Sequence, residues 1–433
     1  MERMPFDHAA LDERIERNYS RLLNDPYYQI PDVFSPAAYE WYGDKEGRAL
    51  LAFVSHYKIS GRKIPCMDQM MKEMHAHVNE DSFFGPLAGE IIHEQQLSGH
   101  SWLLRGLCEY REQFGDTRSL QMIKSICEHL YYPTKGKYKT YPINRPQPNE
   151  GGVSGKSVRI LNGWKLSSDV GCAFMSIDGL SHAYLHVRSS YLKELIDEMI
   201  EVYLSIDKAA LKAQTHCTLT AARGMMRMYH LTNNSTYLDG ARSIFDLYVE
   251  QGGMTATYQN VNWWRRNDTW TEPCAIVDSL MLALDLYLTV GDNAYQTLAT
   301  RIYHNGLATA QRENGGAGTD TVVTNTAGGA SALRSKKYEA YFCCTMRLSE
   351  GLWFISKHTD LLRAQTTGKV ERQANGSYMD GDILYAEIRG GDRYLTQAPT
   401  VVDGYSLHPL LPYFRIPKDD MEQIEQRILF PLK

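Results

Sequence analysis

Two adjacent cysteines, Cys343 and Cys344, stand where a helical pattern begins in the sequence. Neighbouring side chains diverge on the first turn of a helix, so a disulfide between these two residues would be badly strained. The dipole and the orphan amides at a helix N-terminus lower the pKa of a thiol, and the thiolate is the form that binds a metal or attacks carbon. The pair therefore predicts either metal ligands or a nucleophile.

A second motif, Glu272-Pro273-Cys274, opens the apolar run 275–282, which is also predicted to be helical. Together with Cys343 and Cys344 it would supply three thiols and one carboxylate. Zinc takes four ligands in a tetrahedron and favours thiolate sulfur, so the set suits zinc. The residues alone leave an alternative open, in which the cysteines are core thiols and Glu272 is a helix N-terminal charge.

Two histidines, His100 and His216, also fall near predicted helix starts. Helix starts that are far apart in sequence can meet at one rim of a ring of helices. Both histidines are therefore candidates for the same site as the cysteines. The alternative for each is a buried, hydrogen-bonded core histidine.

The elements that must position these residues are helical hairpins, which the sequence pattern predicts between about residues 45 and 360. Six times a helix ends near an aromatic residue and a polar turn follows, at steps of 45 to 74 residues. The aromatic anchors of these turns are Tyr57, Tyr110, Tyr184, Tyr229, Tyr287 and Phe354. Six hairpins of irregular spacing predict a mainly α fold, an (α/α)6 toroid whose inner helices converge on one mouth. An open α-solenoid that binds protein is the alternative.

Three segments interrupt the helical pattern and are predicted to be long loops: 132–168, 252–271 and 312–337. Long loops inside a compact domain are usually functional. After about residue 365 the pattern changes to alternation bounded by Gly and Asp turns, which predicts a short C-terminal β appendage. We therefore expect an (α/α)6 catalytic domain over residues 1–365 and a β-rich segment over residues 366–433.

The charge, the apolar runs and the cysteine content of the sequence argue against several classes of function. The net charge of −5 gives no basis for binding nucleic acid, and no apolar run approaches the ~20 residues of a membrane span. The N-terminus lacks the apolar segment of a secretory signal. Eight cysteines in 433 residues do not form a dense disulfide pattern, which favours free thiols and a cytoplasmic location. A homodimer is one assembly that these features allow.

The motifs resemble, in order and rough spacing over about residues 45–360, those of the zinc-dependent β-L-arabinofuranosidases of glycoside hydrolase family 127. The family's Glu-x-Cys is matched by Glu272 and Cys274, and its Cys-Cys by Cys343 and Cys344. The resemblance implies an (α/α)6 barrel followed by β-sandwich domains, with Zn²⁺ held by these four residues. It also implies that Cys343 is the nucleophile of a retaining glycosidase.

The two active-site histidines of that family are matched by His100 and His216, which the resemblance implies bind sugar hydroxyls. The chain departs from the family at the general acid/base, a glutamate about sixteen residues before Glu272. Ala256 stands there, and Asp268 is the only acid between Glu250 and Glu272. Most of the β-sandwich is also missing.

The loop before Glu272 suggests an acidic substrate. It carries two tryptophans and two arginines in a row: Trp263, Trp264, Arg265 and Arg266. Guanidinium forks suit carboxylates and indole faces stack on sugar rings, so a uronate is predicted to bind. The alternative is a solvated loop held by salt bridges. With such a substrate, Tyr258 or His216 would move the proton of an elimination.

Three functions follow from these features. The first is a zinc-dependent exo-glycosidase that acts on the terminal sugar of an oligosaccharide. The second is a carbon–oxygen lyase or dehydratase, which acts on unsaturated, uronate-containing oligosaccharides with the same zinc site. The third is a non-catalytic helical toroid that binds sugar or protein and holds structural zinc.

Overall fold

Helices dominate the computed structural model of the chain, which describes residues 2–35, 40–144, 154–266, 269–324, 330–374, 378–388, 400–402 and 405–409. The α-helices are α1 (His8–Asn24), α2 (Asp44–Ser60), α3 (Cys66–Glu73), α4 (Glu94–Phe114), α5 (Thr117–Ser125), α6 (Ser176–Val187), α7 (Ser190–Ser205), α8 (Thr215–Thr232), α9 (Ser235–Glu250), α10 (Pro273–Val290), α11 (Asn293–Arg301), α12 (Ala308–Ala310) and α13 (Cys344–Lys357). Two π-helical segments, Ile126–Tyr131 and Ile302–Leu307, extend α5 and α11. The 3₁₀ segments are Pro26–Tyr28, Asp32–Phe34, Met74–Ala76, Tyr132–Thr134, Tyr138–Thr140, Cys172–Met175 and Thr359–Leu362.

The strands are short and form four small sheets. They are β1 (Glu2–Arg3), β2 (Ile92–His93), β3 (Ser157–Leu161), β4 (Trp164–Ser167), β5 (Gly318–Thr324), β6 (Ala330–Glu339), β7 (Gln365–Thr366), β8 (Glu371–Arg372), β9 (Tyr378–Asp380), β10 (Ile383–Ile388), β11 (Thr400–Val402) and β12 (Tyr405–Pro409). The sheet orders are β1-β7, β2-β4-β3, β5-β6 and β11-β12-β10-β9-β8. Every pair is antiparallel except β2 with β4.

All six predicted helix ends are confirmed, and five of them share one kind of cap; at the sixth, the end of α13, His358 has a φ of −132° and donates to the Ile355 carbonyl. Helix α2 ends at Ser60, and the next residue, Gly61, has a φ of 70° and donates its N–H to the Tyr57 carbonyl at 2.7 Å. Helix α10 ends in the same way, with Gly291 donating to Tyr287 at 2.8 Å. A left-handed residue after the last turn satisfies a carbonyl that the helix leaves unpaired.

The chain divides into two units, one of residues 19–244 and the other of residues 1–18 with 245–433. The first unit contains the successive helices α2, α4, α6 and α8, which pack closely. A side chain at Gly47 of α2 would meet the backbone of Leu103 in α4 at 2.2 Å, and one at Gly179 of α6 would meet the backbone of Ser101 in α4 at 2.5 Å. Glycine is therefore required where these helices touch.

The second unit contains the part of α1 up to Asn18, the C-terminal end of α9, and α10 to α13. Asn18 of α1 donates to the carbonyls of Gly315 and Thr345 and accepts from the Ser349 hydroxyl, which ties this part of α1 to α13. Helix α10 is the one helix among the described residues that is long and apolar enough to cross a membrane. Because 72% of it is buried inside the protein, it has the surroundings of a core helix.

Two of the predicted loops contain strands. Within 312–337, β5 and β6 form an antiparallel pair, and within 132–168, β3 and β4 form another. The loop prediction was wrong for these stretches because their pairing partners, and not their glycine-rich composition, decide the structure. The loop 252–271 is irregular where described, with one isolated bridge between Met254 and Asn260.

Strands follow residue 365 as predicted, and β8 to β12 form one five-stranded sheet. Residues 389–399 and 410–433 of the predicted β segment lie outside the described residues. The second unit includes residues on both sides of position 365. The boundary between 365 and 366 stays a prediction.

Candidate metal centre and active site

The candidate site is built from the starts of two helices, α10 and α13. Glu272 is the residue before α10, Pro273 is its first residue, and Cys274 is its second. Proline suits the first helical position, where its missing N–H would have no partner anyway. Cys343 precedes α13 and Cys344 opens it. The two local motifs therefore place their side chains at helix N-termini, as predicted.

The four predicted metal ligands lie together. One ligand atom from each of Glu272, Cys274, Cys343 and Cys344 lies within 4.8 Å of all the others. The Cys274 Sγ and Cys344 Sγ are 3.3 Å apart, and the two adjacent thiols are 3.5 Å apart. Cys274 and Cys344 are buried, whereas Cys343 and Glu272 are partly exposed. The cluster thus has a closed side of two thiols and an open side of one thiol and one carboxylate.

The electrostatics of the cluster fit a cation. Burial raises the pKa of the Cys344 thiol well above its ordinary value, and the adjoining thiols of Cys274 and Cys343 raise it further. Three thiols in contact cannot all ionise unless a positive charge compensates them. Three sulfurs and one carboxylate oxygen at these separations are a donor set that a tetrahedral zinc ion would satisfy.

Two asparagines of the loop before α10 hold Glu272. The Glu272 N–H donates to the Asn260 Oδ1 at 2.7 Å. The Asn262 amide nitrogen donates to the Glu272 Oε2 at 2.9 Å, and its amide oxygen accepts from the Trp270 Nε1 at 3.0 Å. Both asparagines are buried. Sequence reasoning missed them, although a stretch of Thr, Gln and Asn residues beside a predicted ligand is a signal for a buried polar network.

A second network fixes the segment that leads into Glu272. The Thr271 N–H donates to the Asp320 carbonyl at 2.8 Å, and the Asp320 N–H donates to the Thr271 Oγ1 at 2.9 Å. The Asp320 carboxylate accepts from Arg312 and from the Gln259 amide, both at 2.7 Å. Asp320 of β5 therefore anchors the loop 252–271 at two points, Gln259 and Thr271.

A buried ion-pair network joins α10 to α13 beyond the thiols. Arg347 of α13 contacts the carboxylates of Asp278 in α10 and of Glu350 in α13, and these side chains are 0–2% exposed. Arg347 comes one helical turn after Cys343, to whose carbonyl its N–H donates at 3.1 Å. Asp278 likewise comes one turn after Cys274. The network holds the two helices in the register that brings the sulfurs together.

The predicted proton-moving residue Tyr258 lies in the same unit but contacts a different set of groups. Its backbone has a φ of 59°, and its hydroxyl lies 3.4 Å from Arg301 and 3.3 Å from the Met379 sulfur. Burial is the main cause that raises the pKa of its phenol. These contacts of Tyr258 link the loop 252–271 to α11 and β9, and the catalytic role of Tyr258 stays a prediction.

The four predicted substrate-binding residues of the same loop separate into two kinds. Trp263 and Trp264 are 2% and 0% exposed, and their rings pack edge-on against Trp270 and Tyr248 respectively. Arg265 is exposed and has a φ of 60°, and Arg266 is partly exposed. The indole faces are thus packed inside the unit, which does not support sugar stacking, while at least one guanidinium is available to a ligand.

The two predicted histidines belong to the other unit. His100 is buried, its Nδ1 donates to the Gln96 carbonyl at 2.8 Å, and its Nε2 accepts from the Phe84 N–H at 3.0 Å. Burial lowers the pKa of its ring to about 4. Because both ring nitrogens are used, this geometry does not support a sugar-binding role for His100. His216 lies at the second residue of α8, buried, with its ring stacked on Trp102.

Two further groups of metal-ligating side chains occur among the described residues. They share His182, and their members are Cys108, His182 and His186 in one and Glu109, Glu112 and His182 in the other. The Glu112 carboxylate accepts from both imidazoles, at 2.7 and 3.1 Å, and the Arg105 guanidinium lies against His182. A cation of the chain already occupies this cluster, so we do not assign a metal to it.

The family model of the β-L-arabinofuranosidase GH127 catalytic domain matches residues 27–357, which is more than half of the chain. The chain belongs to the GH127 β-L-arabinofuranosidase family. The GH127 family is metal-dependent in general, and the set at Glu272 could bind a metal. No significant match to a curated protein sequence was found.

Solved structures show the same fold. A GH127 β-arabinofuranosidase has a TM-score of 0.55 at 11% identity, over 90% of this chain and 66% of its own. The GH127 β-L-arabinofuranosidase of Geobacillus stearothermophilus T6 has a TM-score of 0.55 at 12% identity, over 96% and 82%. A cellobiose 2-epimerase from Bacillus thermoamylovorans B4167 has a TM-score of 0.50 at 12% identity, over 79% and 99%.

At these identities the likeness concerns the fold, which is of the (α/α)6 type, so the predicted fold class is confirmed. The GH127 chain described here spans 66% and 64% of the lengths of the first two structural relatives.

Proposed function

We propose that this GH127 chain is a zinc-dependent, retaining exo-glycosidase of the β-L-arabinofuranosidase type, which releases the terminal sugar of an oligosaccharide. The observation that carries the proposal is the convergence of the ligand atoms of Glu272, Cys274, Cys343 and Cys344 within 4.8 Å. Zinc bound there would keep its thiol ligands deprotonated at neutral pH.

The burial of the three cysteines supports Cys343 as the nucleophile. Cys274 and Cys344 are closed off by the protein, and Cys343 is the one that is partly exposed. In the first step the Cys343 Sγ would attack the anomeric carbon while the bond from that carbon to the leaving oxygen breaks. In the second step water would displace the sulfur, so the sugar leaves with its original anomeric configuration.

The leaving oxygen needs a proton, and water must later give one up. At the place of the family's carboxyl group the chain has Ala256, whose neighbours Thr255 and Thr257 hydrogen bond to each other at 2.6 Å. Aliphatic hydroxyl groups are far weaker acids than carboxyl groups, so these threonines cannot replace a carboxyl acid. The proton must come from a group outside this stretch.

The test is hydrolysis of a chromogenic β-L-arabinofuranoside by the purified full chain, with zinc and after removal of zinc by a chelator. We expect turnover that zinc restores, and a first-formed sugar with the substrate's anomeric configuration by NMR. Turnover that is indifferent to zinc, or an inverted first product, would contradict the mechanism.

A second candidate function is a carbon–oxygen lyase or dehydratase on uronate-containing oligosaccharides. The absence of a carboxyl group at position 256 and the exposure of Arg265 favour it. Arg265→Ala and Arg266→Ala should each raise KM for such substrates by roughly 10- to 160-fold, because a charged hydrogen bond contributes ~1.5–3 kcal/mol. A change in ultraviolet absorbance with unsaturated uronate oligosaccharides, without arabinofuranoside turnover, would favour this function.

Stoichiometric zinc with turnover of neither substrate would favour a non-catalytic binding protein. For the location of the protein we propose the cytoplasm, because eight cysteines in 433 residues do not form a dense disulfide pattern and zinc thiolates persist best in a reducing compartment.

A further inference from the structure

We infer that Asn262 is a positioning residue of the proposed metal centre, which turns the Glu272 carboxylate toward the three sulfurs, and that Trp270 fixes Asn262 in the orientation this needs. The inference rests on the proposed function only in taking Glu272 as a metal ligand. It assigns a role to two residues that no family motif in the sequence marks.

The direction of the hydrogen bonds is decided by Trp270. An indole nitrogen can only donate, so the group that faces the Trp270 Nε1 at 3.0 Å must be the Asn262 amide oxygen. The amide nitrogen of Asn262 is then turned to the Glu272 Oε2, at 2.9 Å. In the opposite orientation the Asn262 amide nitrogen would face the Trp270 N–H, and the Asn262 amide oxygen would face the Glu272 carboxylate, so neither hydrogen bond would form. Because the Trp270 indole can only donate, it fixes the direction of both hydrogen bonds, from Trp270 to Asn262 and from Asn262 to Glu272.

The surroundings make this arrangement rigid. The Asn262 side chain is 1% exposed, and the Trp270 ring packs edge-on against the buried Trp263 at a centroid distance of 5.4 Å. On the other side, the Glu272 backbone is held by Asn260. The carboxylate is thus fixed both at its backbone and at one of its oxygens.

The uncharged amide of Asn262 is suited to this role. Two buried carboxylates of the same unit, Asp278 and Asp320, are instead paired with Arg347 and Arg312, which neutralise them. An amide donor orients the Glu272 carboxylate without cancelling its charge, so that the charge remains available to a cation. Hydrogen-bond partners of metal ligands act in this way, and their removal typically weakens metal affinity ~10- to 100-fold.

The experiment measures the zinc dissociation constant of the full chain by competition with a chromophoric chelator, in variants that keep all four ligands. We expect Asn262→Ala to weaken zinc binding ~10- to 100-fold. Asn262→Leu keeps the size of the side chain but removes the donor, and should weaken binding by a similar factor. Trp270→Phe keeps the ring but removes the donor, and should weaken binding by a smaller factor.

Trp264→Phe is the matched control, because the Trp264 Nε1 is buried without a hydrogen-bond partner among the described residues and its ring packs against Tyr248 and not against Trp270. It should leave the zinc dissociation constant unchanged. If Asn262→Ala does not fold, Trp270→Phe alone still tests the inference by the same measurement. Unchanged zinc affinity in Asn262→Leu and Trp270→Phe would overturn it. Absence of zinc binding in the unmodified chain would instead overturn the proposed metal centre.

Discussion

Arg347 and Asp278 form a fully buried ion pair one helical turn beyond the sulfurs of the candidate metal centre. The pair joins α13 to α10, and its members follow Cys343 and Cys274 by four residues each. Because a helical turn takes 3.6 residues, each charged side chain lies on the same face of its helix as the cysteine before it. The spacing between the thiols is therefore set by a charge pair in the core as well as by the helix starts.

Replacing Arg347 by methionine should destabilise the protein strongly. The Asp278 and Glu350 carboxylates would remain buried without their partner, and breaking a buried pair costs ~3–5 kcal/mol. The free energy of unfolding in urea measures this, and the zinc dissociation constant should rise as well because the two helices lose their register. The control is Arg17→Ala, since the exposed pair of Arg17 with Glu13 should contribute less than ~1 kcal/mol. An equal loss of stability in both variants would contradict the role of the buried pair.

Substituting one closed-side thiol should remove the metal. Cys274→Ser or Cys344→Ser replaces a thiolate by a hydroxyl that stays protonated at neutral pH, so we expect bound zinc to fall from one ion per chain to a small fraction. Elemental analysis of the purified protein measures this. Cys127→Ala, which alters another fully buried thiol, is the control and should keep one zinc per chain. Full zinc content in Cys274→Ser would show that Cys274 is not a ligand.

The sequence predicts those parts of the fold that a few neighbouring residues determine. The helix end from Tyr57 to Gly61 is an example, because the glycine after the last turn takes the left-handed conformation in which its N–H reaches the tyrosine carbonyl. The same holds for the ligand motifs, because Glu272 and Cys274 are two residues apart at one helix start. That Glu272 and Cys274 lie close to Cys343 and Cys344 was predicted from the family resemblance and from the expected convergence of the inner helices.

The parts that escaped prediction depend on residues that are distant along the chain. The strand pair β5–β6 has little hydrophobic alternation, and its pairing sets the structure of residues that composition alone assigns to a loop. Nothing in the spacing of Trp263 and Trp264 tells which way the indoles turn in an irregular segment. His100 looks like a site residue beside its helix start, and only the contact with Phe84 shows that its second nitrogen is used.

Substituting Cys343, the partly exposed cysteine, should abolish catalysis without unfolding the protein. Cys343→Ser removes the proposed nucleophile, so arabinofuranoside turnover should fall by ~10⁴-fold or more while the free energy of unfolding changes little. A slowly hydrolysed substrate should leave a glycosyl adduct on the unmodified chain, which peptide mass spectrometry would locate on Cys343. If Cys343→Ser keeps both its zinc and substantial turnover, the nucleophile lies elsewhere, and the lyase function gains support.

Glu46, in the first turn of α2, should make stability depend on pH. Its side chain is buried, and burial raises the pKa of its carboxyl group to about 7 against the smaller opposing effects of a backbone hydrogen bond and Lys45. A carboxyl whose pKa is higher in the folded protein binds more protons there than in the unfolded chain. Its contribution is therefore fully present below its ordinary pKa of 4.5 and is lost as pH rises through about 7.

Glu46→Gln removes this dependence, so the variant should gain about 3 kcal/mol over the unmodified chain at pH 8 and little near pH 5. Urea unfolding at pH 5, 6.5 and 8 measures the difference at each pH. Glu80→Gln, at an exposed position of the same unit, is the control and should shift all three values by less than ~0.5 kcal/mol. A gain for Glu46→Gln that is the same at every pH would mean that the substitution acts through packing and that the Glu46 carboxyl does not titrate in this range.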